Sequence, residues 1–112
     1  MASLLGGGSA AQIERRKSTR YPFDAAVEME WGSSKLEGRV RDISAEGMHI
    51  EISDPLWVGA TFSAHVALEP PLRLECVVRR VEPGRAMGVA FVVPDEKGRA
   101  QLAALLQALA KK

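Results

Sequence analysis

The chain has 112 residues, of which 46% are hydrophobic and 26% charged, with a formal net charge of +1. That length supports one hydrophobic core and not two. A near-neutral balance excludes a global field that would draw the molecule to nucleic acid or membrane, and one cysteine, Cys76, excludes an intrachain disulfide or a multi-thiolate zinc site.

Residues 1–12 contain Gly6-Gly7-Gly8-Ser9, which predicts a flexible lead-in. They carry no basic region and no apolar run of signal-peptide length, and no later segment is long enough to span a bilayer, so the chain is expected to be cytoplasmic. Residues 13–112 read as one domain. Its first stretch is locally basic, with Arg15, Arg16, Lys17 and Arg20 offset only by Glu14. Any preference for anions is expected there.

Period-two alternation then dominates. Ala25, Val27, Met29 and Trp31 predict a half-buried strand, ended by Gly32-Ser33-Ser34. Leu36, Gly38 and Val40 open a second strand, which breaks at Asp42-Ile43-Ser44 toward Gly47. Met48, Ile50 and Ile52 form a third, stopped by Asp54-Pro55. Phe62, Ala64, Val66 and Leu68 make a fourth, and Leu72, Leu74, Cys76 and Val78 a fifth that reaches Arg79-Arg80. After Glu82-Pro83-Gly84-Arg85, a sixth strand runs through Met87, Val89, Phe91 and Val93. Short strands with hairpin-like links predict a mainly all-β fold, a small antiparallel barrel or sandwich; closure into a barrel removes exposed edges.

The period then changes. Leu102, Leu105, Leu106 and Leu109 fall at helical spacing after Pro94-Asp95-Glu96, a helix start with acidic residues near the positive end of the dipole. Gly98 weakens its first turn. The apolar stripe is expected to pack on one end of the barrel, and self-association through it is the alternative.

Cys76 alternates with core positions and reads as a small core residue. His49 and His65 have no cluster of partner ligands, so no metal site is expected, and both read as solvent-facing strand positions. Two segments carry chemistry. Arg16 and Arg20 stand four apart, and a guanidinium pairs with phosphate oxygens or with the O6/N7 edge of guanine. Alone, such a basic run is commonly solvated surface. The segment Asp42-Ile43-Ser44-Ala45-Glu46-Gly47 has a plain reading as a tight turn, with Asp and Ser bonding nearby amides and Gly47 supplying positive φ. Its other reading uses the carboxylate to accept from guanine N1–H and N2–H. Placed across an antiparallel barrel, the two segments predict one groove for a small anionic guanine nucleotide.

Together, Arg16-x-x-x-Arg20 and Asp42-x-Ser44-x-x-Gly47 resemble the paired signature of PilZ domains, bacterial receptors for cyclic di-GMP. Val77-Val78-Arg79-Arg80-Val81 and Gly88-Val89-Ala90-Phe91 resemble the family's late strands, so the resemblance covers roughly residues 13 to 112. It implies a six-stranded antiparallel PilZ-type β-barrel with a C-terminal α-helix. It also implies that Arg16 and Arg20 grip guanine edges and phosphates, while Asp42, Ser44 and Gly47 hold a guanine from the barrel side. An arginine at position 15 is compatible with an intercalated pair of ligands. Arg79 is placed to stack on a second guanine, its plain alternative being a solvated strand arginine.

No nucleophile, general base and oxyanion donors assemble in the sequence, so no catalysis is expected. The implied mechanism is a switch in which the ligand orders the basic arm and presents a surface to an effector protein, the domain itself being a monomer or weak dimer. Two other readings remain: a nucleotide-independent module of the same fold in pilus or motility assembly, and a small barrel binding single-stranded nucleic acid. The latter expects aromatic platforms, whereas aromatics are 5% and Trp31, Phe62 and Phe91 are claimed by the core.

Overall fold

The computed structural model describes residues 19–92 and 95–111. Six strands run in chain order: β1 (Tyr21–Trp31), β2 (Ser34–Ile43), β3 (Gly47–Glu51), β4 (Thr61–Val66), β5 (Leu72–Glu82) and β6 (Ala86–Phe91). A helix, α1 (Glu96–Ala110), follows. Around the barrel the strands stand in the order β1-β2-β3-β6-β5-β4, with β4 pairing back to β1 and every ladder antiparallel. Closure therefore leaves no edge strand among the described residues, as the alternation predicts.

Inward positions follow the predicted parity. Val27, Met29, Val40, Ile50, Ala64, Val66, Leu72, Leu74, Cys76, Val78 and Met87 are buried and fill the interior. Cys76 is among them; burial first, and the neighbouring Glu75 carboxylate second, push its thiol up to about 12. Phe62 is also buried, while Trp31 and Phe91 are partly buried against the same core. The β3–β4 loop crosses one end, where Trp57 meets Trp31 edge to face with ring centroids 5.0 Å apart.

The helix is fastened to β5 and β1. Leu102 is buried in the core, with Leu105, Leu106 and Leu109 packed on it. Asp95 caps the helix, its Oδ1 accepting from the Gly98 amide at 2.7 Å. Gly98 is buried, so the glycine that weakens the turn intrinsically is also one that the packed surface covers. Gln101 Nε2 donates to the carbonyls of Pro70 and Pro71, tying the helix to the β4–β5 loop.

Three ladders carry a register shift. One lies in β1 between Pro22 and Ala25 against β2, one between Val40 and Asp42 against β3, and one between Val78 and Arg80 against β6. Each adds a residue to one strand and re-aims the side chains beside it, the known effect of a β-bulge. The strand also extends beyond its predicted start: β1 begins at Tyr21, four residues before Ala25, because the first bulge lets Tyr21 and Pro22 keep pairing with Ile43 and Asp42. Leu68, predicted in the fourth strand, lies beyond its end at Val66.

Candidate functional site

The bulges put one row of outward-facing residues across five strands. Pro22 stands opposite Asp42, Asp42 opposite His49, His49 opposite Gly88, and Gly88 opposite Arg80. Strict alternation would turn Asp42 inward with Val40, and Arg80 inward with Val78. The extra residues Arg41 and Arg79 shift that parity, so charged side chains stay outside while Ile43 returns to the core. Burying either charge unpaired would be costly.

A cleft of about 360 Å³ lies along this row, lined by Arg20, Asp42, Met48, His49, Arg79, Arg80, Gly88 and Val89. Arg20, just before β1, reaches Asp42 near the end of β2: Nε and Nη2 both donate to Oδ1, at 2.9 and 2.6 Å. Arg80 Nη2 lies 3.9 Å from Glu82 Oε2. Arg79 has no ion-pair partner among the described residues. Three guanidiniums against one carboxylate make the cleft electropositive, although the whole chain is nearly neutral.

The turn between β2 and β3 is built by Ser44. Its hydroxyl accepts from the Glu46 and Gly47 amides at 3.2 Å each, and the Ser44 amide donates to the Gly47 carbonyl at 2.8 Å. Ser44 is fully buried. The resemblance places Ser44 against a guanine; in the structure its hydroxyl bonds within the turn. The plain turn chemistry accounts for its bonds.

Gly47 corrects one expectation, that of a positive φ. Positive φ occurs at Gly32, Gly59 and Gly84, and Gly47 is not among them. Glycine is required here by proximity: a Cβ would sit 2.1 Å from the Val89 carbonyl oxygen of β6. Gly47 is buried and does not line the cleft, whereas Gly88 does. A Cβ on Gly88 would meet the Arg80 side chain at 3.8 and 3.9 Å, an ordinary contact, which leaves the cleft floor open between His49 and Arg80.

Of the residues singled out from sequence, Arg20, Asp42 and Arg79 come together at the cleft, and Ser44 and Gly47 shape the turn beside it. Arg15 and Arg16 lie outside the described residues, as does the lead-in 1–12. Sequence reasoning missed Arg80, Gly88 and His49. Two arginines following an alternating core run, one of them at an inward position, were the signal for a bulge at Arg79-Arg80. For His49 no such signal exists, since its outward parity is equally that of bare surface.

The PilZ domain family model matches residues 14–108. The chain belongs to the PilZ family. Membership carries the non-catalytic character of PilZ domains, which are signalling and binding modules. Among the described residues no three His, Cys, Asp or Glu side chains are grouped to hold a metal ion, and no helix is long and apolar enough to cross a membrane.

Solved structures share the fold. The PilZ domain of CeSA from a cellulose-synthesizing bacterium superposes with a TM-score of 0.70 at 22% identity, covering 83% of this chain and 99% of that one. The Bacillus subtilis inhibitor of motility (MotI/DgrA) gives 0.71 at 22% identity, covering 87% of this chain and 50% of that one, so the present PilZ domain spans half of that protein. The PilZ domain of YcgR from Escherichia coli, solved with c-di-GMP, gives 0.70 at 18% identity, covering 87% and 92%. No curated protein matches the sequence.

Proposed function

We propose that this PilZ domain is a receptor for cyclic di-GMP, bound along the row from Arg20 to Arg80. The observation that carries the reading is the electropositive cleft in which Arg20, Asp42, Arg79 and Arg80 converge around a side-chain-free floor at Gly88. Guanidiniums suit phosphate oxygens and the O6/N7 edge, and a carboxylate suits the N1–H and N2–H edge. The cleft volume sits at the low end of the roughly 300–1,000 Å³ usual for small-molecule sites, so it takes part of the ligand and leaves the rest to the chain preceding Thr19. Arg16 and Arg15 supply the remaining positive charge from that side. Ser44 and Gly47 fix the turn that presents Asp42.

Signalling then follows from position. The ligand's two phosphates draw the basic segment before β1 onto the barrel, and the surface so formed is read by an effector protein. The YcgR PilZ domain solved with c-di-GMP shares this fold, which supports the choice of ligand. Calorimetry with cyclic di-GMP tests it. Saturable heat is expected at tens of micromolar protein, lost when Arg16 and Arg20 are both changed to Ala; no heat in the unmodified chain overturns the reading.

A further inference from the structure

His49 occupies the middle of the row and lines the cleft, but the reading above gives it no role. Its ring is one-fifth exposed and forms the partition between two clefts. On one side is the nucleotide cleft. On the other is a second cleft of about 450 Å³, whose walls include Glu37, Arg39, Glu82 and Arg85.

The groups facing His49 come from each element around it. From β2 comes Asp42, already clamped by Arg20. From β5 come Arg79, Arg80 and Glu82, with Glu82 Oε2 lying 3.9 Å from His49 Nε2. On β3 itself, Glu51 lies two residues on and is engaged by Arg41 at 3.6 Å. On β6 the residue opposite His49 is Gly88, which carries no charge.

We infer that His49 is a further ligand-contacting residue of this site and makes nucleotide binding proton-linked; the inference rests on the reading proposed above. Histidine is the side chain that ordinarily changes charge between pH 5 and 8. The ligand's phosphodiesters keep their charge across that range and supply no competing titration. A dianion seated between Asp42 and Arg80 lies against the imidazole, adds negative charge there and favours its protonated form. Binding therefore takes up a proton, and affinity increases as pH falls.

The chain has one other histidine, His65. It sits on β4, outside the cleft, with Nε2 3.4 Å from Glu30, and provides an internal control. The experiment is calorimetry with cyclic di-GMP at pH 6, 7 and 8, repeated in two buffers of different ionisation enthalpy. The unmodified chain and His65→Gln are expected to bind several-fold more tightly at pH 6 than at pH 8, with net proton uptake at pH 7. His49→Gln is expected to bind with a flat pH profile and no uptake. Binding by the unmodified chain without proton uptake overturns the role of His49 and leaves the nucleotide reading intact. Uptake that persists in His49→Gln overturns it equally. No binding at any pH sinks the nucleotide reading itself and this inference with it.

Discussion

Arg20 and Asp42 are joined through a single oxygen: both guanidinium nitrogens donate to Oδ1, and Oδ2 accepts nothing from the described residues. Arg20 lies just before β1 and Asp42 near the end of the neighbouring β2, and their side chains are half and one-third exposed. An exposed pair of this kind contributes only about 0–1 kcal/mol to stability. It therefore holds both groups in place at the cleft without binding them so firmly that a ligand is unable to exchange them.

Arg20→Ala is accordingly expected to weaken cyclic di-GMP binding by at least ~1.5 kcal/mol, the loss of a charged hydrogen bond. The midpoint of thermal unfolding is expected to move little. A fall in stability as large as the fall in affinity, measured on the same protein, would assign Arg20 to the fold rather than to the site.

The two glycines of the row and its turn separate folding from binding. Gly47→Ala places a methyl carbon 2.1 Å from a backbone oxygen, so β3 must move off β6. A loss of at least ~3 kcal/mol is expected in denaturant titrations, at or beyond the upper end of ordinary overpacking. Gly88→Ala meets only ordinary contacts and is expected to unfold within ~0.5 kcal/mol of the parent, as surface changes do. It narrows the cleft floor, and its affinity for the nucleotide is expected to fall. Equal stability of the two variants would contradict the geometry of the turn.

Ser44→Ala removes the hydroxyl that accepts from the exposed Glu46 amide and the buried Gly47 amide. A destabilisation of about 1–3 kcal/mol is expected from the stranded Gly47 donor, read from the shift in urea midpoint at constant slope. No change in midpoint would show that the turn does not depend on this oxygen.

Cys76 gives a pH signature with a definite sign. Its thiol is raised from an ordinary value of about 8.5 to about 12 by burial and, secondarily, by Glu75. The fold favours the neutral thiol, so this contribution is fully present below the ordinary value and is lost as pH rises toward 12. Between pH 6 and 8 the group contributes no pH dependence. Above about pH 9 the parent is expected to lose more stability than Cys76→Ala, with the gap widening as pH increases. At neutral pH a thiol reagent is expected to label Cys76 only after unfolding; rapid labelling of the native chain would contradict its burial.

The core was legible in the sequence because a strand's period is two, and each of the six apolar runs keeps it. The helix was legible for the corresponding reason, as Leu102, Leu105, Leu106 and Leu109 share one face. The bulges were less so. They place Arg80 outside although it shares parity with buried Val78, and they let β1 start at Tyr21. A single extra residue costs the alternation nothing until a charged side chain falls on the wrong face. Arg20 and Asp42 were singled out by their chemistry and Arg79 through the family resemblance, whereas His49 and Gly88 join them only through pairing between strands distant in sequence. Gly47 was marked as special for its backbone freedom, but its constraint is a carbonyl on β6, which no local pattern reveals.

The row from Pro22 to Arg80 runs perpendicular to the chain direction, so a molecule lying along it acts as a hoop around staves. It bears on β1, β2, β3, β6 and β5, whose order around the barrel is not their order in the chain. Slippage in any one of the four intervening ladders turns a site residue toward the interior and breaks the line. On the function proposed above, recognition at this surface is thus a reading of strand register, available only to a barrel whose ladders have all closed correctly.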